Sequence, residues 1–397
     1  MGAADPYLFQ AYLFLVRRVS GDSRVVVTLF TSFLSLCVPL SWYLFGREVL
    51  RSRSTALFFA SVACFVPTWW FSYSFFMNET LLLPLLGFSL WATWRAKRTR
   101  SPWAFLLAAV LWLMASLTRS IAFPLAALCL LWLVLDQWRR VWPVLGAAAA
   151  WAGGFTAAAL HSFPHFGTYS PFGNFNKLVL IYFLSGANTY KVHINNQYTY
   201  YFSSPSLYIS PFYPLPFPTI RTGTYEFAMD AARAGADLSE TISQLFWANL
   251  HLLPRLALEN VVFLSLSHSW PESGGTLAGQ LCFGERLIWL PLILTAVLVS
   301  VRRLRRPGFD FFSFMTTAFV LLLYAAQLAP TEGRYRRPLE PVVLMACLVA
   351  AEAWLAARRP RPPPPHVMET PPVEDGLGDG VDVEEPGGGA PLTPTGA

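Results

Sequence analysis

Three short motifs hold residue types that could do chemistry. Glu332-Gly333-Arg334-Tyr335-Arg336-Arg337-Pro338 places three guanidinium groups within four residues. Guanidinium forks engage phosphate through paired, charge-assisted hydrogen bonds, and Tyr335 adds a donor and a flat face. Asn78-Glu79-Thr80 opens an apolar run with a carboxylate. Such a group beside hydrocarbon is costly unless it is paired or solvated. It suits a general base or a ligand for a divalent metal. It equally suits a helix start, with Asn78 as the cap and Glu79 at the positive end of the helix. Thr118-Arg119-Ser120 sets a lone Arg in a tight hairpin. There it can hold a phosphate or reach lipid headgroups.

The elements that must position these motifs are apolar. Of the 397 residues 54% are hydrophobic and only 13% charged, which excludes an ordinary soluble domain. Runs long enough to span or nearly span a bilayer fall at 25–46, 55–75, 80–95, 102–118, 120–136, 141–160, 284–301, 311–329 and 338–357. The connections Arg47–Arg53, Arg95–Arg100, Asp136–Arg140 and Arg302–Arg306 are basic and share one side, as does Arg358-Arg359. The excess of Lys and Arg assigns that side to the cytoplasm. The three motifs then fall outside, where the Arg334–Arg337 cluster defies the charge rule. A phosphate ligand is the simplest reason for it to be there. The spans hold almost no ionisable group at mid-depth, which argues against an ion-coupled transporter.

The resulting fold class is an all-α polytopic membrane protein. Residues 1–24 form an outer amphipathic segment, 25–160 carry six spans, and 161–283 make a large outer loop region. Residues 284–357 carry three more spans, and 358–397 are a disordered tail, rich in Pro, Gly and acid. Within the outer region, Thr224–Ala234 and Leu238–Leu252 are expected as short helices, the second capped by Ser239. Arg255–His268 reads as a surface-lying or re-entrant helix. Tyr and Phe interleaved with Asn188, Asn195 and Asn196 suit sugar rings, which stack on aromatic faces and need amide hydrogen bonds. An interfacial aromatic belt explains the Tyr and Phe equally well.

At these residues the chain resembles the GT-C fold glycosyltransferases. It is most similar to the bacterial branch related to protein O-mannosyltransferases and the lipid A aminoarabinose transferase. Phe76-Met77-Asn78-Glu79-Thr80-Leu81 resembles that family's Thr/Asn-Glu start of an early helix. Leu117-Thr118-Arg119-Ser120 resembles its outer "TR" hairpin, and Glu332–Pro341 its "RYxxPxxP" loop. The similarity runs over about residues 5–357, with the motifs in order and on one face. It implies a GT-C-like bundle and transfer of a sugar from a polyprenyl-phosphate donor to a lipid, glycan or protein acceptor, with inversion. The donor phosphate would meet Arg334, with Tyr335, Arg336, Arg337 and Arg119 nearby. Some relatives use a divalent metal (Mg or Mn) and some do not, and Glu79 is the residue that would help hold one. Nucleic acid is not among the implied partners. High Ala, Arg and Pro point to a bacterial inner membrane, with the site facing the periplasm.

One departure bears on catalysis. The family's principal catalytic Asp lies in a first outer loop, after a first helix. Here Asp5 is the only acid near the start, and Asp5-Pro6 resembles the end of that loop. The expectation is that one more helix and its loop lie upstream. Glu79 is the best acid that remains. The readings that compete with a transferase are a carrier of lipid-linked sugars and a catalytically dead relative.

Overall fold

A computed structural model describes residues 7–21, 23–67, 69, 78–137, 141–166, 169, 171, 175–187, 189–194, 198–203, 223–229, 234–266, 277–305, 311–325 and 337–358. Most of them are helical. The first helices are α1 (Tyr7–Ser20), α2 (Arg24–Val49), α3 (Arg53–Phe65), α4 (Asn78–Thr99), α5 (Pro102–Thr118), α6 (Ala122–Asp136) and α7 (Val141–Phe166). After a mixed region come α11 (Leu277–Leu304), α12 (Phe311–Ala325) and α13 (Glu340–Arg358). A helix occupies each of the nine apolar runs. Among the described residues, four helices meet the length and apolarity needed to cross a membrane: Arg24–Val49, Val141–Pro164, Gly279–Leu304 and Arg337–Arg358. The helices Arg53–Phe65, Pro102–Thr118 and Ala122–Asp136 are apolar but shorter.

Local signals set the helix ends. The Ser52 hydroxyl accepts a hydrogen bond from the Thr55 amide at 3.4 Å, capping α3. Ser101-Pro102 starts α5, with proline in the first turn where its missing N–H costs nothing. Helices α2, α4 and α5 pack in sequence, and α3 and α7 lie against α2 and α5. Their shared core is aromatic. Trp42 stacks on Phe59 at 4.8 Å and meets Trp69 edge-on at 4.5 Å. The buried Trp112 indole donates to Thr93 Oγ1 at 2.9 Å, so the polar tip is satisfied inside the bundle. Outside, Phe33, Leu36, Leu131, Leu294 and Leu298 are exposed. Apolar exposure on this scale suits lipid rather than water.

One end of the bundle gathers polar contacts. Arg98 pairs with Glu48 at 3.0 Å and Lys97 with Asp136 at 3.6 Å. The Glu352 carboxylate of α13 accepts from the backbone amides of Arg51 and Ser52 at 2.9 and 3.2 Å. These contacts pin α2, α3, α4, α6 and α13 at a common basic end.

The region between α7 and α11 differs from expectation. It contains α8 (Phe175–Ser185), strands β1 (Thr189–Ile194), β2 (Tyr198–Ser203) and β3 (Thr224–Met229), then α9 (Ala234–Ala248) and α10 (Leu253–Leu266). The strands form a sheet of order β2-β1-β3, antiparallel on one side of β1 and parallel on the other. The all-α description therefore holds for the bundle, while the region between α7 and α11 adds a small sheet. Thr224–Met229 is a strand, not the start of a helix: Tyr225 and Phe227, two residues apart, share one face and pack on the cluster of α8, β1 and α9. Ser239 lies inside α9 rather than at its cap, and its hydroxyl accepts from Lys177 at 3.0 Å. Tyr190 and Val192 of β1 are buried against Leu178, Ile181 and Leu238, which joins the sheet to α8 and α9.

Candidate functional site

Glu79 stands in the first turn of α4, and Arg119 is the residue that ends α5. The two helices form an antiparallel hairpin joined at the basic end, so both residues lie at its open end. There the guanidinium of Arg119 donates to the Glu79 carboxylate in an ion pair. Glu79 is 2% exposed, and a lone carboxylate so buried would be costly. Glu79 thus stands in the first turn of its helix, as the helix-start reading expects, and there it meets Arg119. The Arg119 guanidinium is turned onto Glu79.

The start of α13 lies deeper. Arg337 and Glu340 are each 1% exposed. Glu340 accepts a hydrogen bond of 2.6 Å from the indole of the buried Trp69, which follows α3. Depth can be measured from the common basic end. Helix α4 is pinned there at Arg98, and at 1.5 Å per residue Glu79 lies about 28 Å away. Helix α13 is pinned there at Glu352, and Glu340 lies only about 18 Å away. A hydrocarbon core is about 30 Å thick. Glu340 thus sits near the middle of the bundle, some way below the Glu79–Arg119 pair. Glu340 is still at a helix end, but one that lies at mid-depth, where the sequence reading expected almost no ionisable group. The reason is that α13 begins late, so its first residues are already deep.

A second pair of buried ionisable residues escaped the sequence reading. Glu285 and Arg286 of α11 are 8% and 0% exposed. Glu285 accepts from the Trp289 indole, one turn along the helix, at 2.9 Å. The signal was present in Phe283-Gly284-Glu285-Arg286-Leu287, where two charges enter an apolar run.

Several expected site residues lie outside the described residues: Asp5, Arg334, Tyr335, Arg336, Asn188, Asn195 and Asn196. In sequence, Asn188 immediately precedes β1, and Asn195 and Asn196 fall between β1 and β2. Of the arginines expected to meet a phosphate, Arg119 and Arg337 are among the described residues. Among the described residues no three His, Cys, Asp or Glu side chains gather as metal ligands.

The sheet carries its own polar contact. Lys191 of β1 faces Glu226 of β3 in the parallel register, with Nζ to Oε1 at 2.8 Å. This hydrogen bond, and then the lysine's charge, hold the Glu226 carboxyl below its ordinary range. Burial pushes the Tyr190 phenol up, with a smaller contribution from Tyr225.

No protein-family model matches the chain, and no curated protein matches it significantly.

Proposed function

We propose that this chain is an integral membrane glycosyltransferase. It moves a sugar from a polyprenyl-phosphate donor to an acceptor hydroxyl at the bundle end opposite the basic end. In a bacterial inner membrane that end would face the periplasm. The observation that carries the reading is the buried Glu79–Arg119 ion pair at the open end of the α4–α5 hairpin. A carboxylate held in this way can take the proton of an acceptor hydroxyl. The acceptor oxygen then forms a bond to the anomeric carbon from the face opposite the departing phosphate, which inverts that centre. The bond from the anomeric carbon to the phosphate oxygen breaks, and negative charge accumulates on the polyprenyl phosphate. Fixed guanidinium groups, Arg337 among them and Arg334 and Arg336 by motif, would stabilise that charge. Asp5 remains the proposed source of a further acid. Asn188, Asn195 and Asn196 are the proposed sugar or acceptor contacts. A divalent metal, if one takes part, would engage Glu79.

The test is release of polyprenyl phosphate from radiolabelled polyprenyl-phosphate sugars by protein in lipid nanodiscs. Turnover that is lost in Glu79→Gln, with folding intact, supports the transferase. A protein that binds donor and never releases polyprenyl phosphate, alone or extended at its N-terminus, overturns it.

A second reading has its own support. Glu340 lies buried near mid-depth, where a carrier of lipid-linked sugars would need polar groups. Transbilayer movement of a labelled donor in proteoliposomes, without hydrolysis or transfer, would favour that carrier.

A further inference from the structure

Helix α1 is apolar on two faces. On one, Phe9 and Val16 are buried, and the helix packs on α2 and α5. Away from that face Phe14, Leu15 and Val19 are 66%, 61% and 67% exposed. The exposed apolar surface resumes on α2 at Val25, Leu29 and Phe33. A helix that keeps an apolar face outside the protein core suits lipid. The join between the two helices holds three exposed arginines, Arg17, Arg18 and Arg24. Arg18 stands one turn from Phe14, on the same face. The turn is tight. The Gly21 amide donates to the Arg17 carbonyl at 3.0 Å, and the Ser23 amide to the Ser20 carbonyl at 2.9 Å. Gly21 has a φ of +53°, the left-handed value that closes a helix and that glycine adopts without strain.

This join lies at the end of the bundle opposite the basic end. Helix α2 is pinned at the basic end by Glu48, and at 1.5 Å per residue Arg24 lies about 36 Å away. A hydrocarbon core is about 30 Å thick, so Arg24 reaches headgroup depth. The helix dipole accounts for Arg17 and Arg18 in the last turn of α1, but it disfavours Arg24 at the first residue of α2. Residues 17–24 hold three Arg and one Asp, a net charge of +2. We propose that the α1–α2 turn is a docking site for anionic phospholipid. Phe14, Leu15 and Val19 enter the acyl-chain boundary, and Arg17, Arg18 and Arg24 engage the net-negative headgroups. An arginine beside an anionic surface strengthens binding about fivefold. The inference is independent of the transferase reading, because its readout needs no sugar donor.

The test is site-specific photo-crosslinking of the full chain in nanodiscs of phosphatidylcholine and phosphatidylglycerol in equal parts. Phe14 is replaced by benzoylphenylalanine, and the adducts are identified by mass spectrometry. Phosphatidylglycerol should outnumber phosphatidylcholine in the adducts severalfold. The triple Arg17→Gln/Arg18→Gln/Arg24→Gln should bring the two lipids close to parity, whereas the triple Arg17→Lys/Arg18→Lys/Arg24→Lys should keep the preference. Arg47→Gln/Arg53→Gln, at the basic end, should leave it unchanged. Should the Gln triple fail to fold, high salt applied to the parent chain is the second measurement, and it should shrink the preference by screening. The proposal is overturned if the parent's adducts match the bulk lipid ratio, or if the preference survives high salt undiminished. It is equally overturned if the crosslink forms to a second copy of the chain in place of lipid.

Discussion

The guanidinium of Arg119 closes the open end of the α4–α5 hairpin onto the carboxylate of Glu79. The pair joins a helix start to a helix end forty residues away in sequence. Neither group is placed to face water freely: their side chains are 12% and 3% exposed.

Removing one partner should therefore hurt more than removing both. Arg119→Ala leaves a buried carboxylate without its cation, which typically costs about 3–5 kcal/mol. The double variant Arg119→Ala/Glu79→Gln should recover much of that loss in thermal unfolding. Turnover, if the transferase reading holds, should not recover with it, because the base is gone. Recovered stability without recovered turnover is the outcome that separates the two roles of Glu79.

Trp69 supplies Glu340 with a donor inside the bundle. Trp69→Phe keeps the ring against Trp42 but removes the N–H. A buried acceptor that loses its donor costs about 1–3 kcal/mol. We expect a lower melting temperature in Trp69→Phe that is largely absent in the Trp69→Phe/Glu340→Leu double. Equal losses in the two variants would mean that the ring's packing, not the hydrogen bond, is what matters.

Gly87 lets α4 approach α2 closely. A Cβ at this position would lie 2.8 Å from the Ser41 Cβ and 3.1 Å from the Trp42 ring. Gly87→Ala should cost about 1–3 kcal/mol through overpacking. Ser41→Gly in the same chain should relieve most of it. Gly146→Ala, where the space is open, should be neutral or slightly stabilising, as alanine favours the helix. Unfolding of the three variants under one detergent condition checks the order.

The sheet should respond to acid. Glu226 titrates below the ordinary carboxylate range because Lys191 hydrogen-bonds its charged form. A lowered folded value means that the contribution is present above the ordinary carboxylate range. It is lost as pH falls through the depressed value. Carbon-13 NMR of the Glu226 carboxyl should show the depressed midpoint, and Lys191→Met should return it to the ordinary range. A midpoint unchanged by that substitution would assign the shift to another cause.

Much of the bundle is legible in single segments. The run 102–118 is a helix with those bounds, because Ser101-Pro102 starts it and Arg119 ends it. Asn78-Glu79 opens a helix with Glu79 in its first turn, although Asn78 is its first residue rather than a cap and its Oδ1 accepts no hydrogen bond. The sheet was less legible. Thr189–Ile194 alternates buried Tyr190 and Val192 with Lys191 and His193, a period of two over only six residues. So short an alternation is easily read as an aromatic loop. Thr224–Met229 runs into a helix within a few residues, and the two periods blur.

By itself, the sequence determined what is local or compositional: the apolar runs, the basic side of the bundle, the helix starts and the motifs that carry charge. Hydrophobic periodicity and capping depend on neighbours in the chain, so they can be read from the chain. The tertiary structure alone decided which charges meet. Glu79 finds Arg119, Trp69 finds Glu340, and Cys347 meets Leu292, because helix register is set by contacts far apart in sequence. One such contact, Cys347 to Leu292, shifts every residue along two helices together. No pattern within either helix specifies that shift, since packing between helices fixes it.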